Sequence, residues 1–343
     1  MQRRFFAAGM AGLAASAHAN LSVALAMPLL KPRRLHPGDT LGLAAPAGAI
    51  YEREPVDRAI DVLQALGFKV KPSAQLRSRY GHFAGTDAER AAAVNAMFAD
   101  TQVHGILALT GGSGCNRIVD ALDYGLIRHH PKFFGGFSDL TSLINAIHVR
   151  TGLVTFHCPV AISEWNEFSV RHFKALVMEG QAPVLRNWRS EKFDPLVPEE
   201  DRVRTIHPGI ARGPLVGGNL AVLTSLAGSP YYPRFDGAIL ALEELNEYIY
   251  RVDRMLSQLR LSGALQRLAG VVIGQFTKCE PGDGFGTLTL DEVFDDYFKP
   301  LGVPVYRGAS FGHVKRKLTL PIGLPVEMDA SAGTLRLLEP AVV

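Results

Sequence analysis

Ser138 lies in the run Pro131-Lys-Phe-Phe-Gly-Gly-Phe-Ser-Asp-Leu-Thr-Ser-Leu-Ile-Asn-Ala-Ile147. A short apolar strand leads into a glycine-assisted turn and then a helix. Leu140, Leu143, Ile144 and Ile147 fall on one helical face, Asp139 stands where a helix starts, and Gly152 stands where it could end. A serine at such a strand-to-helix turn projects its hydroxyl above the sheet, towards backbone N–H groups of partial positive charge. That is the setting of a nucleophile. Read locally, a capping serine accounts for the same residues, and capping serines are common. A nucleophilic serine needs a base and a residue that orients the base. Glu243-Glu244 follows the apolar run Ala238–Leu242, and His313 lies in Gly308-Ala-Ser-Phe-Gly-His-Val, just before Leu318–Pro321. A helix cap and a surface-loop histidine are their plainer readings. The loop Thr110-Gly-Gly-Ser-Gly114 leaves backbone N–H groups able to face an anion, one oxyanion donor to set beside the amide of Asp139. It lacks the Lys-Ser/Thr of a phosphate-binding loop, which argues against nucleotide binding. Spacing cannot bring serine, carboxylate and histidine together, so the residues alone lead to a Gly-rich, serine-bearing cleft between two domains.

Other chemistries have thinner support. The eleven histidines include no HExxH or other tight ligand spacing, so no metal is expected. His129-His130 reads as a loop pair and His157 as a packed histidine at a strand end. Cys115, Cys158 and Cys279 form neither a CxxC pair nor a disulfide framework.

The elements that must position these residues alternate. Strands are expected at Gly38–Gly48, Phe68–Val70, Gly105–Leu109, the approach to Ser138, and Leu153–His157. Helices lie between them, one carrying Val56, Ile60, Leu63 and Leu66, another opened by the capping box Thr86-Asp-Ala-Glu89. Alternation at this spacing predicts an α/β fold whose N-terminal parallel sheet is flanked by helices, Rossmann- or flavodoxin-like, with ligands outside the carboxyl ends of its strands. From Gly213 a second, mixed α/β unit holds strands at Ala238–Leu242 and Gly270–Phe276, helices at Tyr250–Leu261 and near Asp291–Phe298, and short β segments through Leu337. The expected organisation is a leader over 1–35, a nucleophile domain over 36–165, a linker or surface excursion over 166–212 punctuated by Pro195 and Pro198, and a C-terminal domain over 213–343 carrying Glu and His. The active site then falls at the domain interface.

At 343 residues, 47% hydrophobic and 20% charged, the chain describes a soluble two-domain protein. Arg3-Arg4, Phe5-Phe6 and a weakly apolar run resemble a twin-arginine export signal, with small-residue cleavage sites at Ala17-His-Ala19 or Ala24-Leu-Ala26. An uncleaved anchor over Phe5–Leu30 is the competing reading, weakened by its Gly, Ser, Asn and His content. Cleavage would take the formal charge from +3 to +1, which gives no case for nucleic-acid binding, and leave no stable membrane span. A periplasmic location is expected.

The ordered motifs Gly38-Asp-Thr, Ala84-Gly-Thr-Asp-Ala-Glu-Arg90, Gly111-Gly112, Pro131-Lys132, Gly136-Phe-Ser-Asp-Leu-Thr141, Thr155-Phe-His157, Gly217-Gly-Asn-Leu220, Leu242-Glu243, Tyr250-Arg-Val-Asp-Arg-Met-Leu256, Gly312-His313 and Leu318-Thr-Leu-Pro-Ile-Gly323 span about residues 36–337. Together they resemble the LD-carboxypeptidases, serine peptidases that include muramoyltetrapeptide carboxypeptidase and the microcin-immunity peptidases. The resemblance implies Ser138 as nucleophile, His313 as base and Glu243 as the residue orienting it. It implies Gly112 and Asp139 as oxyanion amides, with Gly111 beside them. It further implies a cofactor-free hydrolysis of the amide between an L-centre and a terminal D-amino acid, usually D-Ala of a murein tetrapeptide, and a homodimer. Two positions depart from the family pattern. Murein-cutting members often carry Arg-Gly-Gly-Tyr-Gly where this chain has Thr110-Gly-Gly-Ser-Gly114, and Cys158 replaces a usual glycine. The changed loop motivates a second reading, a peptidase or amidase for a modified peptide or peptidyl-nucleotide. A non-catalytic two-lobed periplasmic binding protein is the third, and it would have no use for the three side chains together.

Overall fold

The computed structural model of the chain describes residues 27–188, 202–282 and 286–343. Both expected leader cleavage sites, and Pro195 and Pro198, lie outside the described residues. Strands β1 (Thr40–Ala44), β2 (Lys69–Pro72), β3 (Gly105–Ala108), β4 (Phe133–Gly136) and β5 (Thr155–His157) pair in parallel. Helices α1 (Glu54–Ala65), α2 (Asp87–Ala99), α3 (Tyr124–His129) and α4 (Thr141–Thr151) alternate with them. β1, β3 and β4 are buried along almost their whole length, as strands covered on both faces must be. α2 begins at the expected box: Thr86 Oγ1 accepts from the Glu89 amide, and Glu89 reaches back to the Thr86 amide.

The second half adds α5 (Glu167–Phe173), β6 (Val184–Leu185), β7 (Arg204–His207), β8 (Ile210–Asn219), α6 (Leu220–Ser225), β9 (Ile239–Leu245), α7 (Ile249–Leu261), β10 (Gly270–Thr277), α8 (Leu290–Phe298), β11 (Val305–Arg307), β12 (Leu320–Ile322), β13 (Pro325–Asp329) and β14 (Thr334–Leu337). Eight of these strands form a mixed sheet in the order β6-β14-β13-β8-β9-β10-β11-β7, with β8 to β11 parallel at its centre.

Three expectations need correction. The first sheet is not wholly parallel, because β12 crosses from the second half and pairs antiparallel with β5, Leu320 opposite His157. Pro321 is tolerated there because β12 is an edge strand. The stretch 166–212 is not simply a surface excursion. α5 continues into a π-turn at Lys174–Met178, and Phe168, Phe173, Leu176 and Val177 are buried. The charges among them (Glu167, Arg171 and Lys174) mask that apolar face in the sequence. Finally, β9 runs through Leu245, so Glu243 and Glu244 lie within the strand and not after it.

Candidate active site

β4 delivers the chain to Phe137 in extended backbone, and Ser138 then takes φ +65°. A left-handed conformation at a residue bearing Cβ costs on the order of 1 kcal/mol or more and persists only where its surroundings hold it. A 3-10 turn over Ser138–Leu140 leads straight into α4. Ser138 is therefore not the helix cap: its Oγ lies 3.1 Å from His313 Nε2. Gly111 makes room for the turn, since a Cβ there would lie 2.9 Å from Ser138 Cβ.

The loop after β3 is held against this turn by groups that the sequence does not advertise. Arg90, fully buried in α2, donates from Nη1 to Gly114 O (2.9 Å) and Pro46 O (2.6 Å). Gly111 O accepts from the Gly48 amide at 3.0 Å. Asp139 Oδ2 accepts from the Cys115 amide at 2.8 Å, so the residue after the serine anchors the far end of the loop. Burial raises the Asp139 carboxyl above its ordinary range, and the Cys115 amide works in the opposite direction. Asp139 follows Ser138 in the 3-10 turn, and Gly112 follows Gly111, the glycine that closes on Ser138. Ser113 Oγ lies 2.9 Å from His82 Nε2, giving the substituted loop position an exposed partner.

The other two expected residues come from the second half. His313 Nδ1 lies 2.8 Å from Glu243 Oε2. Glu243 is completely buried and His313 is partly exposed. An ionised carboxylate only accepts, so the proton of a neutral His313 sits on Nδ1 and the Nε2 lone pair faces Ser138. Glu244 belongs to a different network. Alternate strand residues face opposite ways, and its carboxylate accepts from Asn219 Nδ2 (2.9 Å) and the amides of Ala221 and Leu245 (2.8 Å each). Burial pushes its carboxyl up to about 7.

α4 joins the two halves. Leu143, Ile144 and Ile147 are buried in the apolar core, while Thr141 Oγ1 accepts from the Asn219 amide (2.9 Å) and Asn145 Nδ2 donates to Gly217 O (2.9 Å). Since Asn219 sits beside Glu243 in the β8–β9 register, the helix that starts from Ser138 docks on the strand neighbouring the carboxylate.

Gly312 lets the His313 loop approach. It has φ +104°, and a Cβ would lie 2.7 Å from Glu243 Oε2. Gly312→Ala is expected to displace His313 from the carboxylate and lower turnover about 10²-fold at nearly unchanged KM. Steady-state kinetics check this, and wild-type turnover would contradict it.

His157, singled out at its strand end, is buried behind this chain between Phe137 (5.9 Å) and the edge of Phe311 (5.7 Å). Desolvation pushes its pKa down to about 4. Its folded pKa is thus below the unfolded value of about 6.5, so its contribution to stability is complete above pH 6.5 and is lost as pH falls towards 4. Burial also depresses His148 and His172. The urea midpoint is expected to fall between pH 7 and 5, and His157→Gln to flatten part of that slope; an unchanged slope in the variant would refute the assignment.

Among the described residues no three His, Cys, Asp or Glu side chains are placed to hold a metal, and no helix is long and apolar enough to cross a membrane.

Residues 41–158 match the model of the LD-carboxypeptidase N-terminal domain, and residues 212–328 match that of the LD-carboxypeptidase C-terminal domain. The chain belongs to the LD-carboxypeptidase family. The probable murein peptide carboxypeptidase of Bacillus subtilis is 37% identical over 309 residues, covering 89% of this chain and 93% of that protein. The microcin C7 self-immunity protein MccF of Escherichia coli is 28% identical over 317 residues, covering 85% of this chain and 91% of that protein. The muramoyltetrapeptide carboxypeptidase of Oxalobacter formigenes has a crystal structure that superposes with TM-score 0.74 at 28% identity, over 87% of this chain and 97% of that one. Both halves of this LD-carboxypeptidase are thus covered, and its mixed α/β two-domain architecture is the family's.

Proposed function

We propose that this LD-carboxypeptidase is a serine enzyme that removes terminal D-Ala from murein tetrapeptides. The observation that carries the reading is the hydrogen-bonded chain Ser138–His313–Glu243, assembled from a strained turn, a loop and a buried strand. Ser138 Oγ attacks the carbonyl of the L-centre as His313 Nε2 takes its proton. The oxyanion is held by the amides of Gly112 and Asp139, which develop their interaction only as charge builds on oxygen. His313 passes its proton to the departing amine of D-Ala, leaving an acyl-enzyme on Ser138. Water, deprotonated by the same nitrogen, then releases the shortened peptide. Glu243 fixes the His313 tautomer and balances the imidazolium that forms in each half-reaction.

Incubation of the purified protein with murein tetrapeptide is expected to release one D-Ala per peptide, read by mass spectrometry, and a Ser138→Ala control to release none. No release by either would overturn the murein assignment. The second reading, cleavage of a modified peptide or peptidyl-nucleotide, is favoured by Thr110 and Ser113 in the loop and by the kinship with MccF, whose solved structures include a complex with glutamyl sulfamoyl guanosine. A glutamyl sulfamoyl nucleoside offered in the same assay separates the two. Export by the twin-arginine leader would place the enzyme beside murein, and fractionation of cells carrying Arg3→Lys/Arg4→Lys against wild type tests that location.

A further inference from the structure

His313 sits in an irregular loop from Gly308 to Leu318 that closes on itself, the Leu318 amide donating to Ser310 O at 2.8 Å. Inside it the Val314 amide donates to Gly312 O at 3.0 Å, so the backbone turns tightly about the histidine. Such bonds fix the shape of the loop but not where it stands relative to Ser138. That takes ties to neighbouring elements. β10 supplies one, Thr277 Oγ1 donating to His313 O at 3.3 Å. α5 supplies two. Asn166, the N-cap of α5, accepts from the Ser169 amide through Oδ1 and donates through Nδ2 to Lys315 O at 2.8 Å. Ser169 Oγ, in a fully buried residue, accepts from the Lys317 amide at 3.0 Å. The helix whose charges give it the look of a surface excursion therefore grips the loop that carries the base.

Lys317 extends this grip to the nucleophile. The residue is buried, and its ammonium folds back to donate to the carbonyl of Val314, the residue after His313. The same ammonium lies over the Phe137 ring, 5.2 Å from its centroid. That ring packs against the His313 imidazole, centroids 4.9 Å apart, and Phe137 immediately precedes Ser138. One cation thus holds the base loop by a carbonyl and the nucleophile turn by an aromatic face. Burial holds the Lys317 pKa below its ordinary value, while Glu164 and Glu243 work in the opposite direction. Burying an ammonium is costly, and an apolar side chain would fill the space without that cost. We infer that Lys317 is a positioning residue of this peptidase, clamping the His313 loop onto the Ser138 turn so that Nε2 stays within reach of the hydroxyl. It acts through His313 and Phe137 and takes no step in proton transfer. The inference rests on the reading of Ser138 as nucleophile and His313 as its base, and adds what holds the two at their separation.

The test reads the serine without choosing a peptide. A fluorophosphonate labels an activated serine, Oγ displacing fluoride from phosphorus as the base takes the hydroxyl proton, and mass spectrometry of the labelled peptide gives the rate at Ser138. Lys317→Met keeps the unbranched apolar stem and removes the ammonium. Labelling is expected to slow about 10–100-fold, because a misplaced base costs rate and not binding. On murein tetrapeptide, kcat should fall by a similar factor with KM within about twofold. Lys317→Arg restores a cationic donor and should recover most of the loss. Ser169→Ala leaves the lysine in place, removes the anchor of its amide and should slow labelling about three- to tenfold. Melting curves establish which variants fold, and Ser169→Ala carries the test if Lys317→Met does not. Wild-type labelling by folded Lys317→Met or, in its absence, by Ser169→Ala overturns the clamp and leaves the triad standing. So does a loss confined to KM or one that Lys317→Arg leaves unrelieved. A wild-type Ser138 that does not label, or that labels as fast in His313→Ala, brings down the triad reading and the clamp with it.

Discussion

Ser138→Ala is expected to lower turnover about 10³–10⁶-fold while the protein stays folded. The alanine keeps the Cβ that the turn already accommodates and removes only the oxygen facing His313 Nε2. His313→Ala should cost a similar factor. The double variant should be no worse than either, because nucleophile and base act as one unit. Additive losses would mean that the two groups serve separate steps. Ser138→Gly provides an independent check of the backbone argument. It should be equally inactive yet melt no lower than Ser138→Ala, because glycine tolerates φ +65°. Full D-Ala release by Ser138→Ala would remove the nucleophile assignment altogether.

Glu243→Gln should lower kcat about 10³–10⁴-fold with little change in KM, because an amide facing Nδ1 no longer dictates which imidazole nitrogen carries the proton. Its neighbour gives the contrast. Glu244→Gln should hold kcat within a few-fold and instead destabilise the fold by about 1–3 kcal/mol, since one of the three donors converging on that carboxylate loses its acceptor. Kinetics and urea denaturation on the two variants separate the roles. A larger kcat loss at Glu244 than at Glu243 would reverse the assignment.

Much of the first half could be read directly from residue patterns. The Thr86–Glu89 box and the alternation of strands with helices are local signals that local hydrogen bonds satisfy, and Leu143, Ile144 and Ile147 are buried as their spacing predicts, although α4 is buried on its other faces as well. The meeting of Ser138 with His313 has no local signature. Those residues are 175 positions apart, and only the ordered motifs of the family point to them as a set. Glu243 and Glu244 become distinguishable once β9 is seen to extend past both, which fixes their opposite orientations. Arg90 was hidden for a different reason. A charged residue in an amphipathic helix reads as solvated, and it is buried here with loop carbonyls and Asp87 accepting from its two Nη groups. The membership of β12 in the first sheet has no sequence signal, because pairing between distant segments leaves no periodicity in either one.

The crossing of β12 also bears on how the molecule comes into being. Emerging from the ribosome, the first 160 residues can form most of a sheet and already carry Ser138, but the edge partner of β5 is synthesised some 160 residues later. The base arrives at position 313, only just ahead of that closing strand. On the proposed mechanism, the Ser138 hydroxyl then has no base beside it during nearly the whole of translation. The same late pairing ties Leu320–Ile322 to Thr155–His157 in the first sheet and favours one cooperative folding event over two sequential ones. If Ser138 and His313 act as proposed, the chain is born inert and gains its reactivity at the moment its architecture closes.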